Sequence, residues 1–339
     1  VASTANELIV NKHETLLLIG KAAERYAVGE IVYAEDYDEV LNLYGDSDLS
    51  RAFRAAQNNG AKYIYLLNVE KDSDYFEVVE SLKHGDFAYA AFVSLFLSDT
   101  FQDTYGERRI HSTLAYLLGS IGRNCLTTFI VTDKHASLYE SIDDFLSDMT
   151  RIQNKFIHRC SVRADLKNLI FVANNLADYP VASVPLAASL CSTPVNEYPT
   201  LEKTSKAIFY INGWDGMDSM AYYRTEPNGV TNVENLLNMY LRREPEKVVF
   251  VDRILKYIQR GLDFQEFKGK QHTEHRKLLF KEKLEKYLEG IKGFIIKHYR
   301  IDQIDVVDDL PGTVIYSSRI RVLPINCFEI CTIKKDVEV

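Results

Sequence analysis

Several groups of residues in this chain have the types that chemistry uses, and spacing decides what each can do. Gly20-Lys21 follows an apolar run and invites a phosphate-loop reading. The loop needs GxxxxGK[ST], but Lys21 is followed by Ala22 and no glycine stands upstream; GxGxxG is absent too. His272 and His275 stand three apart with Glu274 between them, a spacing that suits a metal on one helix face. HExxH is not formed, so the start of a solvated polar helix is the better account. Asp143-Asp144, Asp308-Asp309 and the run Glu35, Asp36, Asp38 and Glu39 offer paired carboxylates. Asp143, Asp144, Asp36 and Asp38 fit helix starts, where the dipole favours negative charge. No serine or cysteine lies in a GxSxG elbow. Trp214, the single tryptophan, sits between Gly213 and Gly216, in a turn or as an interface anchor. No catalytic residue, metal site or cofactor is expected.

The elements around these residues are more informative. A buried strand, Leu16–Ile19, ends at Gly20. A short acidic helix, Asp36–Tyr44, closes at Gly45. The helix Leu49–Asn58 is stopped by Asn59-Gly60, and the strand Tyr63–Val69 completes a βαβ crossover. Strands are expected again at Ala88–Leu95, Thr127–Thr132 and Leu169–Ala173. Helices are expected at His111–Arg123, Ser141–Cys160 and Val184–Cys191. Near-continuous apolar strands alternating with helices predict a parallel sheet covered on both faces.

With 339 residues the chain is long enough for two domains. Between Ser192 and Ser205 the prolines Pro194 and Pro199 and their polar neighbours suggest a boundary. Beyond it come a strand at Ala207–Asn212, a hairpin partner at Tyr222–Thr225 closed by Pro227-Asn228-Gly229, and a helix at Val248–Arg260 capped by Gly261. A charged helix, His275–Leu288, ends at Gly290. Short strands follow at Ile304–Val307, Val314–Leu323 and Cys327–Val339, with Leu310-Pro311-Gly312 as a turn. This order describes a small α+β domain.

Composition excludes several classes. Hydrophobic content of 46% and a mixed charge of −8 describe a folded chain and disfavour a general nucleic-acid binder. No apolar run is long enough for a membrane span, and no secretion signal is recognised. The five cysteines (Cys125, Cys160, Cys191, Cys327, Cys331) form no CxxC pair and are read as reduced thiols of a protein made in the cytoplasm. Two features remain. Glu30 to Asp48 carries seven acids and no base, whereas Lys268 to Arg300 carries six more bases than acids. The Leu8-Ile9-Val10 triplet lies in a polar arm, and Cys331, Ile333, Val337 and Val339 share a strand parity that Lys335 breaks. Such strands can add to a neighbour's sheet; the alternative is an edge strand of their own domain.

LLLIG, DYDEVLNLYG, SDLSRAFRAAQNNG and KYIYLLNV, in this order, resemble the opening of contractile tail sheath proteins. Asn68 stands where that family often carries arginine. KEKLEKYLEGIKGFIIKHYRI followed by SSRIRVLPINCFEICTIKKDVEV is similar to the family's end. The resemblance implies an α/β fold: a subtilisin-like, doubly wound N-terminal domain and a C-terminal α+β domain with extended arms. The expected boundaries are 1–14 for the N-terminal arm, 15–204 for the outer α/β domain, 205–326 for the tube-facing domain and 327–339 for the C-terminal strand arm.

The implied role is structural, without enzymatic activity or cofactor. It is that of a sheath subunit in a helical homo-oligomer of stacked hexameric rings, which contracts and drives a tube through a bacterial envelope to deliver a genome or effector. Implied partners are the tail tube, baseplate and tail terminator proteins, with no nucleic acid and no membrane. Assembly would occur in the host bacterial cytoplasm, and the product would be a virion tail or tail-like particle. Leu8, Ile9, Val10, Cys331, Ile333, Val337 and Val339 would form the strands exchanged between subunits. Lys277, Lys281, Lys283 and Lys286 would face the tube as a releasable, charge-based contact. The competing reading is an α/β enzyme or small-molecule binder with a doubly wound sheet.

Overall fold

The computed structural model describes residues 13–71, 76–77, 82, 87–103, 106–121, 126–160, 168–177, 181–197, 200–201, 207, 221–227, 229, 231–234, 245–308, 314–325 and 331–338. It is a mixed α/β structure that divides into two units. The first runs to Pro194 and resumes from Tyr198 to Val249; the second comprises Val195–Glu197 and Phe250–Val339.

The first unit is built on β1 (Thr15–Gly20), all six residues of which are buried. A strand presents alternate residues to opposite faces. Leu17 and Ile19 therefore join one core with Phe92, Phe129 and Phe145, while Leu16 and Leu18 join another with Phe53, Leu66 and Leu186. Two apolar faces require cover on both sides, and the chain supplies it. α1 (Tyr37–Tyr44) and α2 (Asp48–Asn58) contribute to the second core. α3 (Ile110–Ile121) and α4 (Ile142–Cys160) contribute to the first, and α5 (Ser183–Ser192) returns to the second. β2 (Ile31–Ala34), β3 (Tyr63–Asn68), β4 (Tyr89–Phe96), β7 (Thr128–Thr132) and β8 (Leu169–Phe171) complete a sheet of order β2-β3-β1-β4-β7-β8. The strands are parallel except β2, an antiparallel edge.

Local chemistry fixes the helix ends. The Asp36 carboxylate accepts the Glu39 amide, and Gly45 takes a left-handed φ of 71°. Ser47 and Ser50 form a reciprocal capping box on α2. β2 and the hairpin of β5 (Thr100–Asp103), which buries Phe101, and the exposed β6 (Gly106–Arg109) were not expected from the sequence.

The boundary expected after residue 204 lies instead near 249. Ala221 bonds the edge of β8 through its amide to Phe171 and its carbonyl from Ala173. The hairpin of β10 (Tyr222–Thr225) and β11 (Thr231–Glu234), which also pairs with β9 (Thr200–Leu201), continues from there. Tyr223 is fully buried; its hydroxyl donates to the Ala182 carbonyl, and both polar atoms of the Asn175 side chain bond its backbone. The prolines mark a change in composition but not the end of the core. The expected strand at 207–212, apart from Ala207, lies outside the described residues, as do Trp214, Gly213, Gly216 and the Leu310-Pro311-Gly312 turn.

The second unit packs α6 (Pro245–Gly261) and α7 (Glu274–Ile291) with an antiparallel sheet of β12 (Ile296–Asp308), β13 (Val314–Pro324) and β14 (Cys331–Glu338). Its core joins Ile254 and Ile258 to Phe280, Leu284 and Leu288 and to Ile304, Tyr316 and Ile320. Two glycines act differently from expectation. Gly261 does not cap α6; it ends the helix, and the Tyr287 hydroxyl lies 2.0 Å from where a Cβ would stand. Gly290 does not stop α7, which runs to Ile291; the left-handed residue is Gly293, with φ 88°.

Leu18→Ala should destabilise the first unit by about 2–5 kcal/mol, read by chemical denaturation. Gly261→Ala should cost about 1–3 kcal/mol, although alanine is the better helix former. In the Tyr287→Ala background the same change should cost nothing further, which a double-mutant cycle reads directly.

Candidate functional site

In a doubly wound sheet a ligand sits outside the carboxyl ends of the strands, where the strand order reverses. That point falls between β1 and β4, at Gly20. A Cβ on Gly20 would lie 2.8 Å from the Val93 Cβ, so a side chain at this position would collide with Val93. The loop beyond is held by Asn68, which is 3% exposed. Its side-chain oxygen accepts the Ala22 amide at 3.0 Å, and its side-chain nitrogen donates to the carbonyls of Glu24 and Tyr26 at 3.1 and 3.0 Å. The Lys21 amide turns to the Ser94 hydroxyl at 3.4 Å. The backbone amides that a phosphate would need at Lys21 and Ala22 are thus turned to side chains of the protein.

A second polar centre lies at the carboxyl end of β7. Asp133 is fully buried. One carboxylate oxygen accepts the Ser98 hydroxyl and the Lys134 amide, each at 2.7 Å; the other has no hydrogen-bond partner among the described residues. Burial pushes its pKa from the ordinary 3.8 to about 6, and the nearby Asp148 carboxylate adds to the rise. Asn174 ties the Asp133 carbonyl to the Ala182 amide. This cluster joins the loops after β4, β7 and β8. No group of three or more metal-ligating side chains occurs among the described residues. His272, read above as part of a possible pair with His275, bonds the Tyr316 hydroxyl at 2.7 Å.

The residues expected to mediate assembly fall as follows. Leu8, Ile9, Val10 and Val339 lie outside the described residues. Cys331, Ile333 and Val337 lie in β14, which pairs with β13 of its own chain: Cys331 opposite Val322, Ile333 opposite Ile320 and Val337 opposite Tyr316. All three β13 partners are buried. Lys335, the exception, stands opposite the buried Ser318.

The four lysines of α7 do not form one stripe. The buried line is Phe280, Leu284 and Leu288. Lys277 is half-buried beside it, and Lys281 and Lys283 fall on opposite flanks. Lys281 pairs with Glu285 at 3.6 Å; Lys283 pairs with Glu266 at 2.9 Å and lies over the Phe264 ring. Lys286 points away from the core, on a side it shares with Leu278, Leu279, Glu282 and Glu289. The excess of positive charge seen in the sequence comes mainly from residues flanking the helix, which itself carries five bases and four acids.

Asn68→Ala removes three hydrogen bonds and should destabilise the first unit by about 2–4 kcal/mol in a denaturant titration. For Asp133 the sign follows from a raised folded-state pKa. Its stabilising contribution is complete below pH 3.8 and is lost as pH rises through 6. From pH 4 to 7 the wild type should therefore lose on the order of 3 kcal/mol relative to Asp133→Asn, whose side chain cannot ionise.

No protein-family model and no curated protein sequence matches the chain. Solved structures do. A sheath tail protein from Desulfitobacterium hafniense superposes with a TM-score of 0.63 at 11% identity, over 96% of both chains. A sheath tail protein from Listeria innocua gives 0.60 at 12%, over 96% of this chain and 95% of that one. The helical sheath of the anti-feeding prophage in its contracted state gives 0.57 at 10%, over 96% and 89%. Likeness at such low identity establishes the fold, and the fold of this chain is that of the tail sheath proteins.

Proposed function

We propose that the chain is a structural subunit of a contractile tail sheath, polymerising helically around a tail tube and contracting to drive it through a bacterial envelope. The observation that carries this reading is the likeness to sheath proteins over nearly the whole of both chains, including both units. The engagement of the Lys21 and Ala22 amides by the Ser94 and Asn68 side chains supports it against the nucleotide-binding alternative. The role is structural rather than catalytic. Its natural setting is a virion tail or tail-like particle assembled in a bacterial cytoplasm, in stacked hexameric rings, with tube, baseplate and terminator proteins as partners. The first unit, of subtilisin-like type, lies outside, and the second faces the tube.

Contraction without a nucleotide requires subunits that repack while remaining tethered. The proposed tethers are the strand around Leu8-Ile9-Val10 and β14 with Val339. An eight-residue antiparallel ladder on β13 can be made by a neighbour's strand as well as by the chain's own. α7 is the proposed tube contact. Its outward side, with Lys286 next to Leu278 and Leu279, makes that contact mixed rather than purely basic.

Negative-stain microscopy of the purified chain tests the reading. Tubular polymers are expected, whereas a uniform monomer that binds nucleotide would overturn it. Deleting 331–339 should abolish the polymers while the subunit still melts cooperatively by circular dichroism. Polymers that persist after the deletion exclude β14 as a tether.

A further inference from the structure

The outward face of the β12–β13–β14 sheet has a charge pattern that the folded subunit does not resolve. Arg300 of β12 stands directly opposite Arg321 of β13, and the two share one acid, Asp302, at 3.6 and 3.3 Å. Arg319, two residues from Arg321 and on the same face, is exposed and has no acidic partner among the described residues; the register sets Lys334 of β14 opposite it. Toward the other end of the ladder the register brings acidic positions together. Asp305 and Asp336 flank Ser317, and Glu338 stands opposite Ile315. Like charges directly across a ladder destabilise it, so the basic end is held against its own repulsion.

The opposite pattern occurs on the first unit. Glu30 and Glu35 bracket the edge strand β2, and Asp36, Asp38 and Glu39 begin α1; all five are exposed. Nearby bases are engaged elsewhere. Arg51 pairs with Asp46 and Asp48, Arg25 pairs with Glu70, and Arg54 lies over the Tyr37 ring. The five carboxylates have no cationic partner among the described residues.

An open polymer of identical subunits needs two different patches that fit each other, since each copy offers one and receives the other. Two patches of opposite sign on one chain, the basic one with three arginines to the single acid Asp302, meet that requirement. We propose that the basic end of the β12–β13–β14 face, with Arg300, Arg319 and Arg321, docks on the β2–α1 surface, with Glu30 and Glu35, of a second copy of this chain. The contact rests on the sheath reading above and names one of its lateral interfaces.

Paired charge reversal tests it on the purified full chain. Arg319→Glu/Arg321→Glu should lower the pelleted polymer by about tenfold, and Glu30→Lys/Glu35→Lys should do the same. The chain carrying all four substitutions should return to within about twofold of wild type, because the inverted patches fit again. Unassembled subunits should melt no earlier than wild type in the arginine variant, since a carboxylate at position 321 would face Arg300. Either pair polymerising normally, or a quadruple variant no better than its parents, overturns the proposal. If reversal unfolds the subunit, the pairs Arg319→Gln/Arg321→Gln and Glu30→Gln/Glu35→Gln read the same contact. Each should flatten the fall of polymer with added sodium chloride, and an unchanged salt dependence overturns it. A wild-type chain that forms no polymer overturns the sheath reading itself, whereas polymers indifferent to these substitutions overturn the contact alone.

Discussion

The two-sided burial of β1 is the constraint on which the first unit depends. Four consecutive apolar residues, Leu16 to Ile19, send alternate side chains into separate cores, and neither core closes without helices of its own. This forces crossovers on both faces and places β1 between β3 and β4. At the end of β1 the Val93 side chain leaves no room for a Cβ, which accounts for Gly20.

Against that core, the polar residues of the first unit serve order rather than chemistry. The Asn68 side-chain amide can both accept and donate. It therefore gathers one amide and two carbonyls of a single loop. Asp133 does the same between the loops after β4 and β7, at an electrostatic cost expressed in its raised pKa. Its second oxygen has no hydrogen-bond partner among the described residues, so the proton it takes up in mild acid relieves a charge rather than breaking a bond.

Much of the first unit was legible because period-two and period-3.6 patterns report burial, which is what β1, β3, α2 and α4 are made of. The edge strand β2 was not, since Ile31–Ala34 is half exposed and buries too little to leave a pattern. The domain boundary was misplaced because prolines report local backbone, while the attachment of Ala221 and Tyr223 to β8 and α5 joins residues far apart in sequence. Cys331, Ile333 and Val337 stand opposite buried residues of β13, but parity does not say which chain supplies the partner. Charge was the least legible property. Base counts along α7 suggested a basic helix, yet folding distributes Lys277, Lys281, Lys283 and Lys286 around its circumference. Cross-strand register instead gathers Arg300 and Arg321, which are 21 positions apart in sequence.

The contact between Tyr287 and Gly261 has a mechanical consequence. The phenol of one helix occupies the notch left by the missing side chain of the other, as a key sits in a keyway. Adjacent residues lie about 100° around a helix, so α6 would have to turn about its axis as well as rise by about 1.5 Å to bring the side chain of Arg260 into that notch. The seated phenol therefore fixes the rotational setting of α6 against α7 as well as how closely the two helices approach.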